Sequence, residues 1–476
     1  MASEKMIYQI PSFDAGMMSA VPMTSLPQET EGGEGFTKVL KNIILGKIPG
    51  QVKKRDGTKK VLEPTDAPIK AGYEFIRTDT QDKYLIIVAG DKLLYWDDGW
   101  EEITDGLEGD VFDFLTIANK VAIVSDKDDP MLWDGESLET PSDFPKSKYL
   151  DVFRLRVIAA GDPDDPLKLS VSHPGDPTDW DETEAGSSAF FVYISPDDGQ
   201  RITGVLALDD FVMIGKERNI YGMFGTTTED FAIFPVDSTV GVGSHRALKN
   251  ISETAYFPNR KGEIFRLRSG SRAERISDPI SDLIDEKVDT DNIDKTTAFV
   301  VDDYIYVISL PTKDSRLTLC FDTRQEKWFL WDLEVGTSFE VWDSKGEIYF
   351  SKPEGEELIR LTKGSTTDEG ESIDMLVQTP EIHFGLPGVE KEVRTLFLRF
   401  RKPEVTASFD LFYRVNSEEW SNPINQILPE GEGYWTVRVP IGKQNVREFE
   451  IKIQNDTEED ITLLDANIVY FAKEVE

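Results

Sequence analysis

The chain has 476 residues, of which 39% are hydrophobic and 11% aromatic. That is apolar material for two or three packed domains and too much for a disordered chain. Its 89 acidic residues against 52 basic ones leave a formal charge of −37, the reverse of a duplex-gripping surface, because phosphate affinity comes from Lys and Arg displacing counterions. The single Cys320, in the apolar run Leu317–Phe321, excludes an internal disulfide and reads as a buried small hydrophobe. Met1–Lys5 is not followed by the apolar stretch of a signal peptide, and no apolar run approaches the ~18–20 residues of a membrane helix. A reducing, aqueous compartment and no membrane insertion are expected.

In chain order, residues 1–37 are rich in Met, Pro, Gly, Ser and Glu without sustained periodicity, and read as an extended N-terminal arm with Ser25–Gly35 its most flexible tract. Lys53, Lys54, Arg55, Lys59 and Lys60 then form a dense basic cluster. Its functional reading is a contact with DNA or an acidic neighbouring subunit; its plainer reading is a solvated hairpin tip. From Tyr73 to Leu361 a unit recurs at roughly 40–50 residues: an apolar strand, a tight turn, and a second strand ending in an aromatic, often before Asp. Tyr84–Val88 with Lys92–Trp96, Val121–Val124 with Met131–Gly135, and Ile305–Leu310 with Leu317–Asp322 are examples.

Repetition at that period with several strands per unit predicts an all-β fold, a β-propeller of about six or seven blades over residues 38–361, with Val39–Leu62 able to supply the closing strand. A stack of separate sandwiches is the competing architecture. Ile280–Glu286 is the one good helix candidate. Residues 362–372 (TKGSTTDEGES) read as a linker by composition. In residues 373–476, Thr395–Arg401, Ser408–Val415, Tyr434–Val439 and Phe449–Gln454 alternate apolar and polar positions, the pattern of a C-terminal β-sandwich or jelly roll with one wet face.

Catalytic signatures do not emerge. His173, His245 and His383 are dispersed, without the spacing of a zinc site. Asp289–Asp294 resembles a calcium loop but lacks its central Gly, and Val300 stands where the closing acid belongs. Among so many acids no pair stands out as the acid and base of a glycosidase, and no phosphate cradle or nucleophile elbow is present. The sequence predicts no enzyme and no cofactor or metal. Nine tryptophans could line a sugar groove; most end strands of the repeat, which suggests packing between blades, and Trp420 and Trp435 in the sandwich are the better candidates for surface aromatic contacts.

The order of segments between Ser172 and Asn250 carries a resemblance. A Ser-x-Pro-Gly-Asp-Pro-x-x-Trp segment (Ser172, Pro174, Gly175, Asp176, Pro177, Trp180) precedes Asp198-Gly199 and an Ile-x-Gly-x-x-x-Leu run from Ile202. Ile220-Tyr221 then leads to Gly225-Thr226-Thr227, Asp230-Phe231, and Val240-Gly241-Val242-x-Ser244-x-Arg246-Ala247-Leu248. This order resembles the nozzle, hub and packaged-DNA stabilisation proteins of short-tailed bacteriophages, of the tubular tail protein B type. The resemblance spans roughly Lys38–Leu361 and, more loosely, Gln378–Arg401. It implies a structural virion protein of the tail, assembled in the host cytoplasm as a homo-oligomeric ring of about six copies. The ring would sit below the head-to-tail adaptor protein, near tail fibre or tail-tip proteins, retaining the packaged genome and giving double-stranded DNA transient, non-specific passage during ejection. The alternative function is a propeller-plus-sandwich module that binds a host glycan.

Overall fold

The computed structural model describes residues 5–20, 37–46, 50–182, 189–225, 230–341 and 347–473. The chain is an all-β protein: a closed β-propeller joined to a C-terminal β-sandwich. Seven blades are formed among the described residues, and their innermost strands are Ile69–Ile76, Phe112–Ile117, Tyr149–Phe153, Ile202–Ala207, Lys249–Ile251, Thr297–Val301 and Thr337–Val341. Each of the first five blades is a separate four-stranded antiparallel meander. Alternate residues of each meander face the neighbouring blades, so every apolar face is covered only once the ring closes. Phe75, Tyr84, Tyr95 and Trp133 interlock the first two blades in this way. The stretch Phe190–Asp237 is divided between two blades. Its first strand is the outer edge of the third blade, and Ile202–Asp237 is the whole of the fourth.

The N-terminal strands determine how the molecule holds together. They are β1 (Lys5–Ile10), β2 (Val39–Lys41), β3 (Ile43–Leu45), β4 (Val52–Lys54) and β5 (Gly57–Val61). β5 pairs antiparallel with Leu358–Thr362, with Gly57 opposite Thr362 and Val61 opposite Leu358, and completes the seventh blade. The ring is closed by joining the beginning of the propeller to its end, as the position of Val39–Leu62 suggests. β2 lies parallel to Lys327–Trp331, the outer strand of the sixth blade, and antiparallel to Met375–Gln378, the first strand of the sandwich. The sixth blade thereby runs into the sandwich as one nine-stranded sheet ending at Ile424–Leu428. The facing sheet is built on Thr462–Ala472, flanked by Lys391–Arg401 on one side and by β1 and β4 on the other. A single apolar core includes Leu40, Phe329, Val377, Phe409, Leu411, Ile453, Leu398 and Ile468, so propeller and sandwich share an interior.

Two expectations are corrected. The arm over residues 1–37 is packed where it is described. β1 adds a strand to the sandwich, Phe13 and Met17 are buried, and the Met17 N–H donates to the Trp328 carbonyl at 2.9 Å. Ser25–Gly35 lies outside the described residues. The linker over 362–372 is a short hairpin, Thr367–Asp368 with Glu371–Ser372, lying along β5. The helix forms one residue later than expected, over Ser281–Lys287, and Cys320 is fully buried, with burial holding its thiol well above the ordinary value.

The closing strand leaves no room at Gly57. A Cβ there would fall 2.0 Å from the Thr367 carbonyl oxygen, whereas one at Gly99 would meet nothing within 4 Å. Gly57→Ala is expected to destabilise the protein by about 2–3 kcal/mol, read as a lowered unfolding midpoint, with Gly99→Ala near wild type. Equal midpoints would mean that β5 does not pack against the hairpin in this way.

Candidate functional site

Four of the five residues of the basic cluster have partners within the molecule, and Lys54 and Arg55 are buried. The Lys53 ammonium pairs with Asp460 at 3.0 Å. Lys54 is buried and donates to the Thr457 carbonyl at 2.6 Å, and burial lowers its pKa to about 8 against the pull of nearby acids. Arg55, also buried, forks onto the Asp368 carboxylate, donates to Asn42 Oδ1 and the Asp56 carbonyl, each at 3.0 Å, and lies over the Trp331 ring. Lys60 reaches Glu357 at 2.7 Å and Glu369 at 3.6 Å. Lys59 alone of the five is exposed without an ion pair. Lys53, Lys54 and Arg55 fasten β4 and the turn after it to the sandwich and the hairpin, a role that neither reading of the cluster includes, while Lys59 and Lys60 are exposed.

Trp420 and Trp435 do not form a common groove. Trp420 is half-buried between the Arg414 guanidinium and the Lys452 ammonium, each 4.9 Å from its ring, on the outer face of the nine-stranded sheet. Trp435 is opposite Phe400 in the facing sheet and is exposed beside Lys402. Of the other tryptophans, Trp133, Trp180, Trp328 and Trp331 are buried, and Trp342 lies outside the described residues.

The polar centre of the structure is the propeller hub, a cavity of about 810 Å³ ringed by the innermost strands. The segment Val240–Leu248, one of those that carry the resemblance, dips into it. The Val205 N–H donates to His245 Nδ1 at 3.4 Å, and His245 Nε2 lies 3.2 Å from Asp113 Oδ2. The imidazole also lies against the Tyr149 ring, with centroids 4.6 Å apart. Arg246 reaches across to the Lys70 and Asp110 carbonyls at 3.5 and 3.4 Å. Ser244 Oγ donates to the Thr296 carbonyl at 2.7 Å, and Tyr306 Oη donates to the Ala247 carbonyl at 2.6 Å. One loop thus ties down strands from most of the ring and obstructs its axis.

Two acids beneath the loop are held by backbone donors. Asp113 accepts from the Leu150 N–H at 2.8 Å, and Asp151 accepts from the Ala207 and Val152 N–H groups, each at 2.7 Å. Burial nonetheless raises the Asp151 carboxyl to about 6, the backbone donors and His245 only partly offsetting it, and pushes the Tyr149 hydroxyl up to about 12. Burial likewise depresses Lys249, Arg246 and Lys148. Asp113, Tyr149 and Asp151 were missed by motif reading. The available signal was an acid inside the short alternating strand Tyr149–Phe153, at a position that an ordinary strand gives to solvent.

This arrangement locks blades together. Among the described residues no group of three or more His, Cys, Asp or Glu side chains is placed to hold a metal ion. In the calcium-like loop the Asp289 carboxylate caps its own turn, accepting from the Asp291 N–H and Asn292 Nδ2. Asp128, in another acidic run, accepts from the Glu108 and Gly109 N–H groups and Ser125 Oγ.

No protein-family model and no curated protein matches the chain. Among solved structures it is similar to the extracellular domain of a hybrid two-component system from B. thetaiotaomicron, at 9% identity and a TM-score of 0.43 over 74% of this chain and 45% of that one. YCF48 bound to D1 peptide is similar at 13% identity and 0.41, over 65% and 97% of the two chains. The Neurospora crassa Pan2 WD40 domain is similar at 8% and 0.36, over 65% and 96%. The chain spans less than half the length of the first of these, and similarity at this level carries no functional argument.

The hub acid makes stability depend on pH. Asp151 has a folded value near 6 against an ordinary 3.8, so the folded state takes up its proton first, and ionising this group costs stability. That cost is absent below about pH 4, grows as pH rises towards 6, and then stays constant. The stability of wild type relative to Asp151→Asn is expected to fall across that window, read as the difference in thermal midpoints from pH 4 to 7.5. A flat difference would place the carboxyl in an ordinary environment.

Proposed function

We propose that the chain is a structural virion protein of a short bacteriophage tail, several copies of which form a ring that continues the DNA conduit below the head-to-tail adaptor. The observation that carries this reading is the order of the segments from Ser172 to Leu248. In the fold, at least four of them, Asp230-Phe231 included, fall in connections rather than in strand cores. Ser172–Trp180 links two strands of the third blade and buries Trp180 against Phe144; Asp198-Gly199 turns into the fourth blade; Val240–Leu248 obstructs the hub. Connections vary freely unless something constrains them, so a shared order there is more telling than shared apolar strands.

The conduit of such a ring lies between copies. One turn of duplex, about 34 Å long and about 20 Å across, displaces roughly 10,000 Å³, far beyond a hub cavity of about 810 Å³ crossed by Arg246. A lumen walled by a chain of charge −37 repels a polyanion carrying about one charge per 1.7 Å of axis, so DNA slides past without adhering. Repulsion decays within about 8–10 Å in physiological salt, and acids facing the lumen therefore matter most. Asp164 is an exposed acid suited to testing this by charge reversal; Asp128 is not, because its reversal would release the loop it ties. The alternative is a propeller-plus-sandwich module that binds a host glycan, for which Trp420 and Trp435, on separate sheets, would act at separate places.

Electron microscopy of the purified protein, alone and mixed with adaptor-bearing capsids, tests the proposal. Rings of about six copies with an open centre are expected in at least one sample. A chain that stays monomeric in both overturns the ring and the conduit with it.

A further inference from the structure

The outer face of the sandwich sheet built on Thr462–Ala472 carries a second polar cavity, of about 400 Å³. Its lining comes from four strands in register. Gln9 of β1 is opposite Asn467, Asn467 is opposite Phe397, and Asp465 is opposite Arg399, which in turn faces Thr436. Tyr434 begins the edge strand Tyr434–Val446 and stands 57% exposed, with the Arg399 guanidinium 4.7 Å from its ring centroid. Arg399 also approaches Asp465 at 3.7 Å.

Three features of this groove point to one class of ligand. The side chains of Gln9, Thr436 and Asn467 make no hydrogen bond within the described protein, which leaves two amides and a hydroxyl with unused donors and acceptors. They lie between two aromatic rings, Phe397 and Tyr434, whose faces match the C–H faces of a sugar ring. The groove is also flanked by Arg401, opposite Tyr434, and Arg438, opposite Phe397; neither makes an ion pair within the described residues. Along these strands Arg399, Arg401 and Arg438 outnumber Asp465, with Glu430 and Glu432 confined to the turn before Tyr434; this is a local cationic excess on a chain of charge −37, and electrostatic complementarity then selects an anionic partner.

We infer that this groove binds an acidic saccharide, with sugar rings stacked on Tyr434 and Phe397, hydroxyls bonded by Gln9, Thr436 and Asn467, and the carboxylate drawn to Arg401 or Arg438. The site differs from the Trp420 and Trp435 positions singled out in the sequence, and it includes a residue of β1, so it is complete only when the N-terminal strand is docked. Burial raises the Asp465 carboxyl, with Arg399 opposing that effect, as suits a partly desolvated groove. The inference holds whether or not the chain assembles as a ring.

The test uses the full chain on an array of uronic-acid, sialylated and neutral glycans, followed by calorimetric titration with an oligogalacturonide, maltohexaose and inorganic polyphosphate. Binding to an acidic glycan is expected, weakened at least tenfold by Tyr434→Ala and by Asn467→Ala and unchanged by Trp420→Ala. Arg401→Gln with Arg438→Gln should abolish the preference for acidic over neutral sugar. Thr436→Val, nearly isosteric, should weaken binding without lowering the unfolding midpoint, which separates a lost contact from a misfolded sandwich. No binding to any acidic glycan, equal binding of maltohexaose, or polyphosphate binding as tight as that of the acidic glycan and unchanged by Tyr434→Ala would each overturn the inference.

Discussion

The structure depends on how residues 39–61 are shared between two domains. A propeller has no stable open form, since each blade leaves apolar faces that only its neighbours cover, and here the last blade is completed by β5. A few residues earlier the same segment, as β2, joins the sixth blade to the sandwich. Pulling this segment away would open the ring and divide the shared core together. The buried Arg55 marks the crossing point. Its guanidinium holds Asp368 after the seventh blade and Asn42 after β2, and the Asn42 amide donates onward to the Asp374 carbonyl at the start of the sandwich. A buried ion pair adds little net stability, but removing one partner is costly, so Arg55 acts chiefly to specify which strands meet.

The hub follows the same logic with charge in place of strand pairing. Burying acids and bases around an axis is costly unless each finds a partner. Asp113, Asp151, His245 and Arg246 find theirs largely in backbone N–H and carbonyl groups of other blades. A side chain satisfied by the backbone of another blade sets the distance and rotation between the two. The hub contacts thus fix most of the blades relative to one another around the central cavity.

Much of this was legible in the sequence, and the misses have identifiable physical causes. Aromatic strand ends at a regular interval gave the propeller, because the interval reflects blade size and the aromatics pack between blades, as Trp133 does. The closing strand was legible from its place before the first repeat. β1 was missed because Ile7, 62% exposed, breaks the alternation of Met6, Tyr8 and Ile10. The hairpin after the seventh blade was taken for a linker because Thr367–Asp368 and Glu371–Ser372 are too short and polar to show a period; what holds them is contact with β5 and with Arg55, made by residues hundreds of positions earlier. The basic cluster was misread for a related reason. Composition shows that charges are close in the chain, but the acids that neutralise them, Asp460, Asp368 and Glu357, lie hundreds of residues away.

The saccharide groove was invisible for the converse reason. Gln9, Phe397, Arg399, Tyr434, Thr436 and Asn467 share no motif, and only the register of four strands brings them together. Charge and shape also bear on how copies would meet. A chain of charge −37 resists self-association wherever acids face each other, so a ring must close through acid-poor apolar surface. The propeller exposes aromatic side chains on its rim, although Tyr193 lies among Asp165, Asp162 and Glu182. Phe191 and Tyr193, on the outer strand of the third blade, and Phe234, on that of the fourth, are each at least 40% exposed, and Phe190 and Phe231, 5.5 Å apart, hold the two strands together beneath them. Contacts through that rim would leave the sandwich face with its three arginines free of the interface. One molecule would then have room both for a neighbour at its blades and for a ligand on its sandwich.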